Sequence, residues 1–233
     1  QYVLEGQVRM IGERVSISLT LSDTDDGTVI WGDKIQRSFN ELLAVVDETA
    51  AKIAATVFGR MEDAAMVAAR RKPPENMTAF DCYLRGLDHH RLGGVTDDNA
   101  RQSVGWLTKA IDADPNYAAA YALRVCAASW LSDFDYEQGR KDINRALALD
   151  PCDAEANRVM GVLELMEGNF EEAVAHARRA MELNPTDAYI KARCAGTYNF
   201  VGDGERSLEL LDEAEILDPF LPVWCIEERG VAL

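Results

Sequence analysis

The hydrophobic positions follow two different periods, and the change between them falls near residue 38. Before it, apolar and polar residues alternate in three segments, which is typical of β-strands with one buried face. The alternation is clearest over residues 15–21, where Val, Ile, Leu and Leu are separated by Ser, Ser and Thr. Gly12 and the acidic segment at 23–28 favour turns, because Gly and Asp tolerate turn conformations. We predict three antiparallel strands, and we prefer a hairpin turn at 23–28 to a calcium loop, which would need flanking helices.

After residue 37 the apolar residues recur at steps of three and four, which predicts a helix. Ser38 and Glu41 have the spacing of a capping box at its start. The paired prolines Pro73 and Pro74 end it near Arg70, since proline and the residue before it disfavour helix. We therefore expect a small α/β domain over residues 1–72 and a second domain over 73–233.

The second domain contains an internal repeat. Four prolines, each preceded by Asp or Asn, follow one another at intervals of 36, 34 and 34 residues: Pro115, Pro151, Pro185 and Pro219. A period near 34 residues built of two helices is the tetratricopeptide signature. We expect a mainly α solenoid of about four helix-turn-helix repeats that begin near residues 78, 118, 154 and 188, with a truncated fifth from residue 222.

Small residues recur in register with these prolines, as the packing of paired helices requires. In the third repeat they are Gly161, Gly168, Ala173, Ala177 and Ala180. The first two repeats carry about five and about two extra residues between their paired helices. These insertions either lengthen a turn or mark a contact surface.

Charge restricts the range of partners. The net charge is −16, with 48% apolar and 27% charged residues, and most of the negative excess lies after residue 75. An acidic surface repels phosphate backbones and anionic lipid, so we expect no nucleic-acid or membrane binding by this segment. The acidity serves either solubility or a preference for basic or peptide partners. No apolar run approaches the roughly 20 residues of a membrane helix.

Five single cysteines are scattered along the chain without a C-x-x-C pair: Cys82, Cys126, Cys152, Cys194 and Cys225. This spacing argues against a disulfide framework or a zinc site and suits a reducing, cytoplasmic location. His89 and His90 adjoin Asp88, but consecutive helical residues point about 100° apart, so a surface position or an inter-helix contact is favoured over metal binding. Phosphate-loop and dinucleotide motifs are absent. We expect no catalytic, cofactor-binding or metal-binding residues here.

A binding surface is predicted along the first helix of each repeat, which lines the concave groove in tetratricopeptide proteins. On this register we place five residues in the groove: Trp130, Glu155, Arg158, Tyr189 and Asn199. The Lys/Asn set with which such repeats clamp a peptide carboxylate is missing. We therefore do not expect a chaperone-tail ligand.

The strand sequences carry a family resemblance. Residues 2–39, with "LEG-V", "G-R-V" and "G--IW-D---R", resemble the last strands of the TolB amino-terminal-like α/β module. "AVVDETAAKIA" and "RKPPENMTAFDCYLRG" resemble its following helix and the junction into a first repeat. That module precedes tetratricopeptide arrays in bacterial class III adenylate/guanylate cyclases and in winged-helix regulators. Its early strands are absent here, so the sheet is expected to be partial or completed by a partner.

The resemblance implies a regulatory, non-catalytic region of a cyclase whose catalytic domain lies upstream, with repeats that bind a protein or self-associate. The alternative is the sensory region of a winged-helix transcription regulator. A third hypothesis is a small molecule bound between sheet and repeats. The chain begins at Gln1 and ends at Leu233 within a helical pattern, which predicts an excised segment.

Overall fold

The computed structural model describes residues 2–44, 46–73, 77–91, 96–218, 221 and 224–233. Three strands come first: β1 (Tyr2–Ile11), β2 (Arg14–Asp23) and β3 (Val29–Ser38). The helices that follow in these residues are α1 (Phe39–Ala44), α2 (Val46–Arg71), α3 (Ala79–Arg91), α4 (Asp97–Ala113), α5 (Ala118–Ala128), α6 (Tyr136–Leu149), α7 (Ala154–Glu167), α8 (Phe170–Leu183), α9 (Ala188–Phe200), α10 (Gly204–Leu217) and α11 (Trp224–Ala232). The chain divides by its contacts into Gln1–Ala65 and Met66–Leu233. The domain boundary expected after residue 72 stays a prediction.

The first unit is built on an antiparallel sheet in the order β1-β2-β3, as predicted. Gly12 has a φ of 63° in the first turn, which glycine adopts without strain. The second turn closes through backbone bonds between Asp23 and Thr28, and the Asp26 carboxylate accepts from the Thr28 N–H at 2.8 Å. The acidic segment is therefore a hairpin turn.

The expectation of a half-buried first strand is wrong. Val8, Met10 and Ile11 are each more than 60% exposed, whereas Leu21 of β2 is 1% exposed. Within this unit α1 contacts β2 and β3, and β1 pairs only with β2.

The predicted capping box begins the helical part. The Ser38 N–H donates to Glu41 Oε2 at 2.9 Å, and the Glu41 N–H donates back to Ser38 Oγ at 3.3 Å. Two helices, α1 and α2, follow where one was expected, and residue 45 between them lies outside the described residues. The end of α2 belongs to the second unit, where Arg70 forms a bidentate ion pair with Asp88 of α3.

The second unit is a series of helical hairpins, which confirms the predicted fold. The pairs are α3–α4, α5–α6, α7–α8 and α9–α10, and α11 follows as a single helix. The predicted starts at 78, 118, 154 and 188 agree with the observed helix starts to within one residue. Pro219 and Pro222, assigned to the end of the fourth repeat and the start of the fifth, lie outside the described residues.

Small residues form the seams between paired helices. Ala173, Ala177 and Ala180 of α8 are at most 1% exposed. A Cβ at Gly161 of α7 would stand 3.0 Å from the Ala173 carbonyl oxygen. The backbones of α7 and α8 approach this closely because neither side chain keeps them apart.

Helix ends are fixed by their own sequence. Asp135, Asp153, Asp187 and Asp203 each accept the backbone N–H three residues later, as N-cap residues do. Gly168 ends α7 in the left-handed region, at φ 84°. Residues 129–135 separate α5 from α6, whereas residues 168 and 169 alone separate α7 from α8, so the second insertion lengthens a turn. Residues 92–95 of the first insertion lie outside the described residues.

We predict that Gly161→Leu lowers the free energy of unfolding by about 1–3 kcal/mol, because the new side chain meets the α8 backbone, which cannot move aside without opening the seam. Urea denaturation followed by circular dichroism measures the change.

Gly105→Leu is the matched control. Gly105 lies exposed on α4, and a Cβ added there would have no neighbouring atom within 4 Å. Leucine there improves helix propensity, so we expect a gain of up to about 1 kcal/mol. Equal losses in both variants would contradict the assignment of Gly161 to the seam.

Candidate functional site

The first helices of successive hairpins pack side by side. Contacts join α3 to α5, α5 to α7, α7 to α9 and α9 to α11. Polar and aromatic side chains from all five helices meet along this row. We call them the first-helix cluster: His90, Arg91, Cys126, Trp130, Glu155, Arg158, Tyr189, Arg193 and Trp224.

A buried ion pair stands at the centre of the cluster. Arg158 is 2% exposed, and its Nε and Nη2 donate to the two carboxylate oxygens of Glu155 at 2.8 and 2.6 Å. Both residues lie on α7, three positions apart, so one helical turn sets this geometry. The same Nη2 lies 3.1 Å from Cys126 Sγ on α5, which links two hairpins.

Burial and neighbouring opposite charges shift the pKa values of the ionisable groups in the cluster in opposite directions. Burial opposes ionisation of Glu155, yet the charge and hydrogen bonds of Arg158 lower the pKa of the carboxyl to about 2. Burial likewise disfavours the guanidinium, but Glu155 and Cys126 raise the pKa of Arg158 well above its ordinary value. Each group keeps the other charged in a poorly solvated place.

Cys126 has an unusual environment for a core thiol. Its sulfur lies 3.1 Å from Arg158 Nη2, 3.4 Å from His90 Nε2 and 3.9 Å from Arg193 Nη2. Burial opposes the thiolate, but Arg158, His90 and Arg193 lower the pKa of Cys126 to about 5. These neighbours favour the thiolate over the thiol.

Aromatic rings form the outer part of the cluster. The Arg193 guanidinium carbon lies 5.7 Å from the Trp130 ring centre and 5.0 Å from that of Trp224. Arg91 lies 4.1 Å above the Tyr189 ring, which meets Trp224 edge to face at 5.8 Å. Trp130 is 45% exposed, so this end of the cluster reaches solvent.

The structure brings together four of the five residues placed in the groove by sequence, namely Trp130, Glu155, Arg158 and Tyr189. Asn199 lies apart from them, where its Nδ2 donates to the backbone oxygen and carboxylate of Glu228 on α11 at 3.0 and 2.9 Å. Their role in binding stays a prediction. Arg158 is 2% exposed, so its predicted part in binding would be to position Glu155 and not to contact a ligand directly.

Sequence reasoning missed Arg193 and Cys126. Helical register offered the signal, since Arg193 follows Tyr189 by four residues and Cys126 precedes Trp130 by four. Among the described residues no group of three or more His, Cys, Asp or Glu side chains is placed to hold a metal ion. The described helices include none long and apolar enough to cross a membrane.

Comparison of sequences gives distant relatives. The chain matches no known protein-family model. It is 26% identical over 117 residues to anaphase-promoting complex subunit 3 of Schizosaccharomyces pombe, covering 50% of this chain and 17% of that protein. It is 26% identical over 138 residues to putative adenylate cyclase 3 of Rhizobium meliloti, covering 58% and 22%. The chain thus spans about a fifth of the length of these relatives.

Comparison of structures decides the fold. TTC0263, a thermophilic TPR protein of Thermus thermophilus, aligns with a TM-score of 0.56 at 18% identity, covering 79% of this chain and 97% of that one. The helix pairs form a tetratricopeptide-type solenoid. An IFIT1 monomeric mutant aligns with a TM-score of 0.57 at 17% identity, covering 76% and 39%. In this solenoid the first-helix cluster occupies the face formed by the first helix of each repeat.

We predict that Glu155→Gln changes the acid sensitivity of the solenoid. A carboxyl whose pKa falls on folding stabilises the fold above its unfolded pKa, near 4.5, and loses that effect as the pH falls toward 2. The wild type is therefore more stable than the variant near neutral pH. The difference in unfolding free energy between them should shrink by about 2 kcal/mol as the pH is lowered from 5 to 3. Urea denaturation at several pH values measures it.

Glu137→Gln is the control, because Glu137 forms only an exposed i,i+4 pair with Lys141. The difference in unfolding free energy between this variant and the wild type should stay constant from pH 5 to pH 3. Cys126 titrates at the upper edge of this window and above, so it contributes little below pH 5. A pH-independent gap for Glu155→Gln would contradict the buried ion pair.

Proposed function

We propose that this chain is a protein-interaction scaffold that uses the face formed by its first helices. The observation that carries the proposal is the convergence on one surface of Glu155 from α7, Tyr189 and Arg193 from α9, and Trp130 from the turn after α5, with part of this surface open to solvent. A tetratricopeptide-type solenoid presents such a face preformed, so a partner binds with little reordering of the protein.

The chemistry of the face favours a polypeptide ligand. Trp and Arg are the residues that most often dominate protein interfaces, because they bury large areas and form directional contacts. Trp130 and Arg193 are adjacent here. The partner is a protein or peptide, or a second copy of the chain. The acidic surface elsewhere disfavours nucleic acid, in keeping with the net charge of −16.

The finer proposal is that the chain is a non-catalytic regulatory region of a nucleotide cyclase. Two observations support it: the similarity to putative adenylate cyclase 3 of Rhizobium meliloti, and a strand-and-helix segment resembling the TolB amino-terminal-like module ahead of the repeats. Catalysis would then belong to another part of the parent protein. Neither of the two sequence relatives is a winged-helix regulator, so the alternative has no comparable support.

The reading frame that encodes this chain tests the cyclase proposal. A class III cyclase catalytic domain in the same frame would support it. A DNA-binding helix-turn-helix domain in that place would overturn it in favour of the winged-helix alternative.

We predict that Trp130→Ala weakens partner binding at least tenfold without altering the fold, because a half-exposed Trp at an interface centre contributes about 2 kcal/mol or more. Partners are identified by quantitative mass spectrometry after affinity capture from the source cells, and affinity is then measured by calorimetry. Sedimentation velocity tests self-association in the same way.

Phe170→Ala is the matched control, since Phe170 is 51% exposed and begins α8, a second helix. It should leave affinity unchanged. Equal losses from both variants, or none from Trp130→Ala, would place the binding surface elsewhere.

A further inference from the structure

The surroundings of Cys126 differ from those of the other four cysteines. Three cationic or polar nitrogens from three helices converge on its sulfur: His90 Nε2 of α3, Arg158 Nη2 of α7 and Arg193 Nη2 of α9. By contrast, the Cys194 thiol donates to the Ala177 carbonyl oxygen at 3.6 Å. Arg158 and Arg193 both donate toward the sulfur, and the thiolate is the reactive form of cysteine.

Arg193 lies next to the sulfur and is partly exposed. Among the described residues it forms no ion pair with a carboxylate, and its buried Nε has no hydrogen-bond partner. Stacking against Trp130 and Trp224 holds the guanidinium in place. A hydroperoxide that reaches Cys126 from solvent would therefore approach beside Arg193, whose movement breaks no carboxylate salt bridge.

The guanidinium of Arg193 lies where it can donate a hydrogen bond to an oxidised Cys126 sulfur. An oxygen atom added to Cys126 Sγ would lie close to the guanidinium groups of Arg158 and Arg193, whose Nη2 atoms are 3.1 and 3.9 Å from the sulfur. Hydrogen bonds from charged donors to such an oxygen are among the stronger ones in proteins.

We propose that Cys126 is a modification site for small hydroperoxides, oxidised reversibly to a sulfenic acid within the first-helix cluster. The thiolate sulfur attacks one peroxide oxygen, the S–O bond forms and the O–O bond breaks. Two electrons pass from sulfur to the peroxide, whose other oxygen leaves as hydroxide or alkoxide and takes a proton from water. The sulfenic acid is reversed by a thiol reductant.

The charged and titratable groups that face the sulfur set the expected pH dependence. They come from α3, α7 and α9: His90, Glu155, Arg158, Tyr189 and Arg193. The positive charges outweigh burial and lower the pKa of Cys126 to about 5, whereas burial raises that of Cys194 to about 12 and that of Cys225 to about 11. Cys152 is exposed and serves as the ordinary thiol for comparison.

The test measures oxidation of each cysteine in the intact chain. The native protein is treated with hydrogen peroxide for timed intervals at pH 6, 7 and 8, quenched with catalase, and unfolded with iodoacetamide at one fixed pH. Mass spectrometry of the peptides then gives the remaining thiol at each position. Dimedone added at fixed pH in a parallel sample traps sulfenic acid, and Cys126→Ser identifies the adduct.

We expect the oxidation rate of Cys126 to change less than twofold from pH 6 to pH 8, because a pKa of about 5 leaves little thiol to ionise over that range. Cys152, which is exposed, reports how an accessible thiol reacts under the same conditions. Cys194 should stay reduced, which shows that the core remains closed. A tenfold rise per unit at Cys126, or oxidation there only when Cys194 also reacts, would overturn the proposal.

Discussion

The close approach of helix backbones is the constraint on which the second unit depends. A single hairpin buries one side against itself and leaves another apolar side uncovered, so each first helix must pack against the next first helix. That packing needs small residues at the seams, and Ala120, Ala156 and Ala192 are fully buried where it occurs. Alanine buries little area by itself. Its contribution is to let larger residues of neighbouring hairpins, such as Val125 and Leu163, pack in one core cluster.

The same packing buries the charge of Arg158, and neighbouring side chains compensate that charge. Placing Arg158 between α5 and α9 removes its guanidinium from water, which is costly unless the charge is compensated. Glu155 supplies a carboxylate from one turn away, and the Cys126 sulfur supplies a second acceptor from the neighbouring hairpin. Because these partners come from two helices, the ion pair also fixes how successive repeats are aligned. Losing either partner would leave a buried charge uncompensated.

Sequence predicted the architecture well because its signals are local. The closing prolines and the small residues at Ala173 and Ala180 act on the helices next to them, and they agree with the helix bounds observed. Burial of β1 was predicted wrongly, because alternation shows which side chains share a face and not whether another element covers that face. The described part of α1 packs on β2 and β3 instead.

Sequence reasoning could predict only part of the candidate site. Helical register placed Trp130, Glu155, Arg158 and Tyr189 on one face, and the structure brings them together. Register cannot tell that Arg158 would be buried, nor that Cys126 would lie against it, since both depend on contacts between residues 32 positions apart.

The first-helix cluster has a deeper layer and an outer layer, and only the outer layer is open to a large partner. In the deeper layer Arg158 and Cys126 are each 2% exposed and contact each other, so a polypeptide cannot reach them directly. The outer layer includes Trp130, which is 45% exposed, and the partly exposed Glu155 and Arg193. A polypeptide would meet the outer layer, whereas the proposed oxidation needs a peroxide small enough to reach Cys126. Since Arg193 contacts both layers, a change in the charge of the sulfur would be felt at the surface that a partner contacts.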